Sequence, residues 1–139
     1  MPDIFAVTAG WGHLADKSQP HHALAARIYR LAKQNQQRIV TTNYILGEVV
    51  ALLTSPLHVP RQQQIAFINS IKTSPHVEVI HIDPTLDAAA WQLFSDRSDK
   101  LWSLVDCSSF VVMQRLGIYD ALTTDHHFAQ AGFRPLLRE

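Results

Sequence analysis

A single cysteine, Cys107, among 139 residues excludes an internal disulfide, so a reducing cytoplasm is the expected compartment. An excess of charge of one sign is also missing. Twelve basic and 12 acidic residues give a formal net charge of zero, whereas a protein that coats nucleic acid without sequence preference is usually basic. Any contact with RNA must then come from a local patch. No apolar run approaches the thickness of a bilayer; Val49-Val50-Ala51-Leu52-Leu53 is among the longest, and no membrane association is expected. The chain opens Met1-Pro2-Asp3 without a basic n-region, so no signal peptide is expected. Glycine and proline are scattered, and no repeat, linker or low-complexity tract is present. What is abundant is apolar: 47% hydrophobic against 17% charged residues suits one compact domain spanning residues 1–139.

Within that domain, strand-like runs alternate with helical patterns. Ile4-Phe5-Ala6-Val7, Arg38-Ile39-Val40-Thr41-Thr42, Val77-Glu78-Val79-Ile80-His81-Ile82 and Ala121-Leu122-Thr123-Thr124 read as strands, with Arg134-Pro135-Leu136-Leu137 as a possible edge strand. Leu24, Ile28 and Leu31, with Ala25 and Ala32, recur at helical spacing opposite Arg27, Arg30 and Lys33. Further helices are expected from Asn43, as a cap, to about Leu53, and from about Pro60 to Lys72. Another follows the Asp83-Pro84 start signal, and one runs from Ser103 to Leu116 before Gly117. A short one follows Asp125. Such alternation implies an α/β fold with a parallel sheet covered on both faces, and ligands in such folds sit beyond the carboxyl ends of the strands.

Three carboxylates stand out against this frame. Glu48 is the sole charge from Tyr44 to Leu53, and its helical neighbours Tyr44, Ile45, Ala51 and Leu52 are apolar or aromatic. A carboxylate there snorkels outward, pairs with an arginine or holds a metal, because burying it alone is costly. Asp125 falls at the carboxyl end of a strand, where it is either a site residue or the N-cap of the next helix. Asp106 completes Ser103-Leu104-Val105-Asp106, an S-x-x-D capping box, and only the other two acids argue for more. Hard cations such as Mg²⁺ or Mn²⁺ take oxygen ligands of this kind. The eight histidines argue poorly for zinc, since His21-His22 and His126-His127 are adjacent pairs and no H-E-x-x-H or cysteine-rich spacing occurs. Solvent-exposed histidines are the expectation. Cys107, in an apolar run with Phe110 and Val111, reads as a buried inert thiol rather than a nucleophile.

Thr41-Thr42-Asn43-Tyr44-Ile45-Leu46-Gly47-Glu48, Trp102-Ser103-Leu104-Val105-Asp106-Cys107-Ser108-Ser109-Phe110 and Ala121-Leu122-Thr123-Thr124-Asp125-His126-His127-Phe128 resemble, in order and spacing, the acidic motifs of PIN-domain ribonucleases. Asp99-Lys100 before Trp102 and the continuation Ala131-Gly132-Phe133 also suit the pattern. The resemblance covers nearly the whole chain. It implies a three-layer PIN-like fold with a five-stranded parallel sheet and helices on both faces. It also implies a Mg²⁺- or Mn²⁺-dependent endoribonuclease, the VapC-type toxin of a toxin–antitoxin pair, acting as a homodimer restrained by a small antitoxin. On that resemblance Glu48, Asp106 and Asp125 would bind or orient the metal, and Ser108 and Thr123 would be hydroxyl helpers near the phosphate. The implied reaction is in-line attack of an activated water on a phosphodiester, leaving a 5′ phosphate.

The first motif departs from the family. Ala6-Val7-Thr8-Ala9-Gly10-Trp11 aligns through Thr8 and Trp11 with a Val-Asp-Thr-Ser-x-Trp pattern, which puts Val7 where the first metal-binding aspartate belongs. Asp3 precedes it by four residues, roughly 13 Å toward the wrong end of a strand, and Asp16 lies beyond the turn. A valine offers no oxygen to a cation. The chain is then an impaired nuclease or, alternatively, a catalytically inactive PIN-fold module that binds an antitoxin or RNA, with Arg27, Arg30 and Lys33 as a candidate basic stripe.

Overall fold

The computed structural model describes residues 2–138. Its strands are β1 (Ile4–Ala6), β2 (Ile39–Thr42), β3 (Val77–Ile80), β4 (Asp120–Leu122) and β5 (Arg134–Pro135). All neighbouring pairs are parallel, in the order β3-β2-β1-β4-β5. The helices are α1 (Thr8–Ala15), α2 (His22–Gln34), α3 (Asn43–Thr54), α4 (Arg61–Thr73), α5 (Pro84–Asp96), α6 (Leu104–Leu116) and α7 (His126–Gln130). Packing joins α1 to α2 and α3, and α3 to α4; separately it joins α5 to α6 and α6 to α7. Right-handed crossovers put the first group on one face of the sheet and the second on the other. The PIN-like α/β expectation holds.

The chain leaves β1 toward β2 and leaves β4 toward β5, in opposite directions across the sheet. The carboxyl ends of β1 and β4 therefore flank a switch point, where an open parallel sheet leaves a crevice. β1 is buried at every residue, and Phe5, Val40, Ala121 and Leu122 are wholly enclosed. Trp11 of α1 enters the same core; its Nε1 donates to Thr41 Oγ1 (3.1 Å), and Thr41 Oγ1 donates to Ala6 O (2.9 Å). That relay ties the first helix to β2 and to the end of β1.

Several local expectations need correction. Helix α1 was not legible: it starts at Thr8, directly after Val7, and carries both Gly10 and Gly12, poor helix formers in isolation. Its glycines serve packing, since a Cβ on Gly10 would lie 2.0 Å from Leu122 O. Thr42 caps α3, accepting from Ile45 N, while Asn43 Oδ1 accepts from Ile82 N. β4 runs Asp120–Leu122, so Thr123 and Thr124 fall beyond it, and β5 is two residues long with Pro135 at the sheet edge, where a missing N–H is tolerated. On α2, Ala25 and Ala32 are buried and Leu24 and Ile28 pack half-buried against the core, as read, whereas Leu31 is exposed. The Asp83 cap of α5 and the Ser103–Asp106 capping box of α6 form as read, and Gly117 closes α6 in the left-handed region at φ 68°.

Candidate active site

A cleft of about 390 Å³ opens at the switch point. Val7, Thr8, Glu48, Asp106, Thr123, Asp125 and His127 line it. All three carboxylates singled out in the sequence thus line one cavity, although Glu48 comes from the middle of α3 and Asp106 and Asp125 from the starts of α6 and α7.

Val7 ends β1 and initiates α1 in extended conformation, with its side chain 5% exposed. An apolar, β-branched residue suits that place, and it forms an apolar part of the wall beside the acids. Glu48 lies on α3, which springs straight from β2. It is half-buried, and its Oε1 accepts a 2.7 Å hydrogen bond from Thr8 Oγ1. No arginine pairs with it among the described residues.

Asp106 is both cap and cleft residue. Its Oδ2 accepts from Ser103 N (3.0 Å), while Ser103 Oγ accepts from Asp106 N (2.9 Å). Burial raises its carboxyl pKa, the Ser103 amide works against this, and the neighbouring Asp125 charge adds to the rise. Asp125 likewise caps α7, its Oδ1 accepting from His127 N (2.9 Å). Thr123, wholly buried, holds the Asp125 amide through Oγ1 (3.0 Å). In both aspartates the cap bond engages one carboxylate oxygen and fixes the side chain's direction.

Ser108 does not line the cleft. It is buried in α6, and its Oγ donates to Val105 O (2.6 Å); Ser109, one residue on, faces the cavity instead. Asp3 pairs with Arg38, as its place at the start of β1 requires, and Asp16 is occupied by Ser18 and Gln19. Cys107 is enclosed, and burial beside Asp106 pushes its thiol up to about 11. A thiol held that high carries almost no thiolate at neutral pH, which removes it as a nucleophile.

Two residues escaped the sequence reading. His127 is largely enclosed rather than solvent-exposed: its Nδ1 lies 3.4 Å from Asp106 Oδ2 and 3.3 Å from Asp125 Oδ1, yet makes no hydrogen bond of acceptable geometry. The available signal was its place two residues after a capping aspartate, which turns it back toward that carboxylate. Arg138 donates to Thr124 O (3.3 Å) beside Asp125, and nothing local in the sequence marks it. The exposed Leu101 side chain forms part of the rim.

The cleft combines acids able to hold a hard cation with an apolar ledge. The chain is 30% identical over 130 residues to the 23S rRNA-specific endonuclease VapC20 of Mycobacterium tuberculosis, covering 94% of this chain and 95% of that protein. The crystal structure of VapC20, described as a Sarcin-Ricin loop cleaving toxin, superposes with a TM-score of 0.83 over 94% of this chain and 96% of that one. The structure of FitAcB from Neisseria gonorrhoeae superposes at 0.64 with 12% identity, covering 93% of this chain and 92% of that one, a likeness of fold alone. The family model for the PIN domain matches residues 10–134, and the chain belongs to the PIN-domain family.

Proposed function

We propose that this protein is a metal-dependent endoribonuclease, the VapC-type toxin of a toxin–antitoxin pair, impaired by Val7. The observation that carries the reading is the shared cleft at the β1/β4 switch point, into which Glu48, Asp106 and Asp125 all face. Their oxygens suit Mg²⁺ or Mn²⁺, which need a few carboxylates and otherwise keep water. A bound cation there supplies Lewis acidity to a phosphodiester and to the attacking water. The chain's own residues do the positioning: Thr8 fixes Glu48, the two caps fix Asp106 and Asp125, and Thr123 steadies the turn before Asp125. Leu101, on the rim, offers an apolar surface to a base. RNA as the substrate class is supported by the VapC20 relative, a 23S rRNA-specific endonuclease; an antitoxin partner and a cytoplasmic setting are part of the same proposal.

Purified protein incubated with ribosomal RNA should give slow cleavage that requires Mg²⁺ or Mn²⁺, stops with EDTA, and falls further in Asp125→Asn. Cleavage that persists in EDTA would sink the reading. Val7 favours one alternative, a PIN-fold module that keeps its partner and has lost catalysis. Complete absence of cleavage even after a carboxylate is restored at position 7 would select it.

The same reading includes a homodimer. Trp91 and Phe94 stack on the outer face of α5 at 57% and 39% exposure, with Ile65 exposed on α4. Light scattering should give about twice the 15.7 kDa chain mass, and Trp91→Glu should return it to the monomer value; a monomer at micromolar concentration counts against the dimer.

A further inference from the structure

His127 Nδ1 is buried, within reach of two carboxylate oxygens, and bonded to neither. A hydrogen-bonded imidazole would sit closer to one oxygen and point at it. Instead the nitrogen is nearly equidistant from Asp106 Oδ2 (3.4 Å) and Asp125 Oδ1 (3.3 Å). Ligand atoms bound tetrahedrally at roughly 2.0–2.1 Å from a zinc-like ion lie about 3.4 Å from one another. The two separations from Nδ1 match two edges of such a polyhedron. Each of the two oxygens accepts one backbone hydrogen bond and keeps a lone pair for another partner. His126 adds a further donor on the open side, since one ligand atom each from Asp125, His126 and His127 lie within 4.8 Å of one another.

We propose that His127 is a metal ligand, so that Asp106, Asp125 and His127 form a mixed nitrogen–oxygen site. It prefers a borderline transition cation (Mn²⁺, and more strongly Co²⁺ or Zn²⁺) over Mg²⁺. The inference rests on the metal-dependent reading of the cleft and specifies its donor set. Mg²⁺ is a hard ion that favours oxygen ligands and near-octahedral geometry, whereas an imidazole nitrogen raises affinity along the series toward Co²⁺ and Zn²⁺. Val7 works in the same direction. It withholds a carboxylate that would favour the hard ion, and leaves the nitrogen as a larger share of the donors.

Co²⁺ is the probe, added to chelator-stripped full-length protein and followed by its visible absorption, with Mg²⁺ affinity measured by competition. Co²⁺ should bind tighter than Mg²⁺ and give the strong visible bands of a low-coordinate nitrogen-containing site. His127→Ala should weaken Co²⁺ binding by on the order of 10²-fold and bleach those bands, while changing Mg²⁺ affinity far less. Equal Co²⁺ affinity and an unchanged spectrum in His127→Ala overturn the proposal. Should that variant fail to fold, pulsed electron paramagnetic resonance of Mn²⁺ in the unmodified protein decides: nitrogen modulation supports ligation, and its absence rejects it. The two readings fail separately. Mg²⁺-dependent RNA cleavage with no role for His127 in metal binding removes only this inference. A nitrogen-containing metal site that Asp125→Asn abolishes, in a protein that cuts no RNA even as Val7→Asp, removes the nuclease reading alone.

Discussion

Val7→Asp is expected to raise RNA cleavage on the order of 10²-fold, with a matching gain in Mg²⁺ or Mn²⁺ affinity. Residue 7 follows β1 at the switch point and lines the same cleft as Glu48, Asp106 and Asp125, so a carboxylate there enters from an apolar part of the wall. The metal-free variant should be less stable, by about 2 kcal/mol, since the site is 5% exposed and an acid must be buried beside three others. Burial and like charges raise the introduced carboxyl's pKa above its unfolded value. Its neutral form is tolerated at low pH, and the destabilisation grows as pH rises through the folded pKa. Saturating Mn²⁺ should reverse that loss. Thermal melts from pH 5 to 8 with and without Mn²⁺, together with single-turnover cleavage, measure both effects. Equal cleavage by the two forms means that position 7 is not part of the metal site.

Gly10→Ala should cost about 3 kcal/mol and lower the melting temperature by roughly 10 °C. The added Cβ would lie 2.0 Å from Leu122 O and 2.9 Å from its carbonyl carbon. Backbone cannot swing aside as a side-chain tip can, so α1 must lift off β4. Gly12→Ala is the control: its Cβ meets only Leu52 Cδ2 within 3 Å, and the long end of a leucine can turn. Because α1 carries Thr8, the lift should also slacken the Thr8–Glu48 bond and weaken cation binding. A Gly10→Ala protein that melts with the parent would show that the close approach is not needed.

The parallel fold was legible because its strands are short apolar runs and its helix starts carry strong local chemistry. Ser103, Asp106 and Asp83 announce their caps in sequence, and the structure uses each one. Helix α1 was hidden because its reason is tertiary: Gly10 is a poor helix former and a necessary spacer at once. The three acids were found through charge isolation, strand-end position and motif order, and they reach the same cleft. His127 reads as solvent-exposed in the sequence because nothing in a His-His pair tells that the second residue turns back toward the capping Asp125. Ser108, expected near the phosphate, falls outside the lining of the cleft while the equally buried Ser109 falls within it, because one residue turns a helix by about 100°.

The capping role of Asp106 and Asp125 bears on how such a chain decays when cleavage ceases to be selected. Each of these acids starts a helix as well as facing the cleft, and losing a cap costs about 1 kcal/mol whether or not RNA is ever cut. Selection for folding alone would therefore retain them. A carboxylate at position 7 has no such second employment: Val7 caps nothing with its side chain and fills apolar space, so replacing an acid there improves the metal-free protein. On the proposed reading of position 7, erosion should begin at the strand end and reach the two capping positions last, and Val7→Asp alone should reverse it, because the remaining acids are kept in position for reasons of their own.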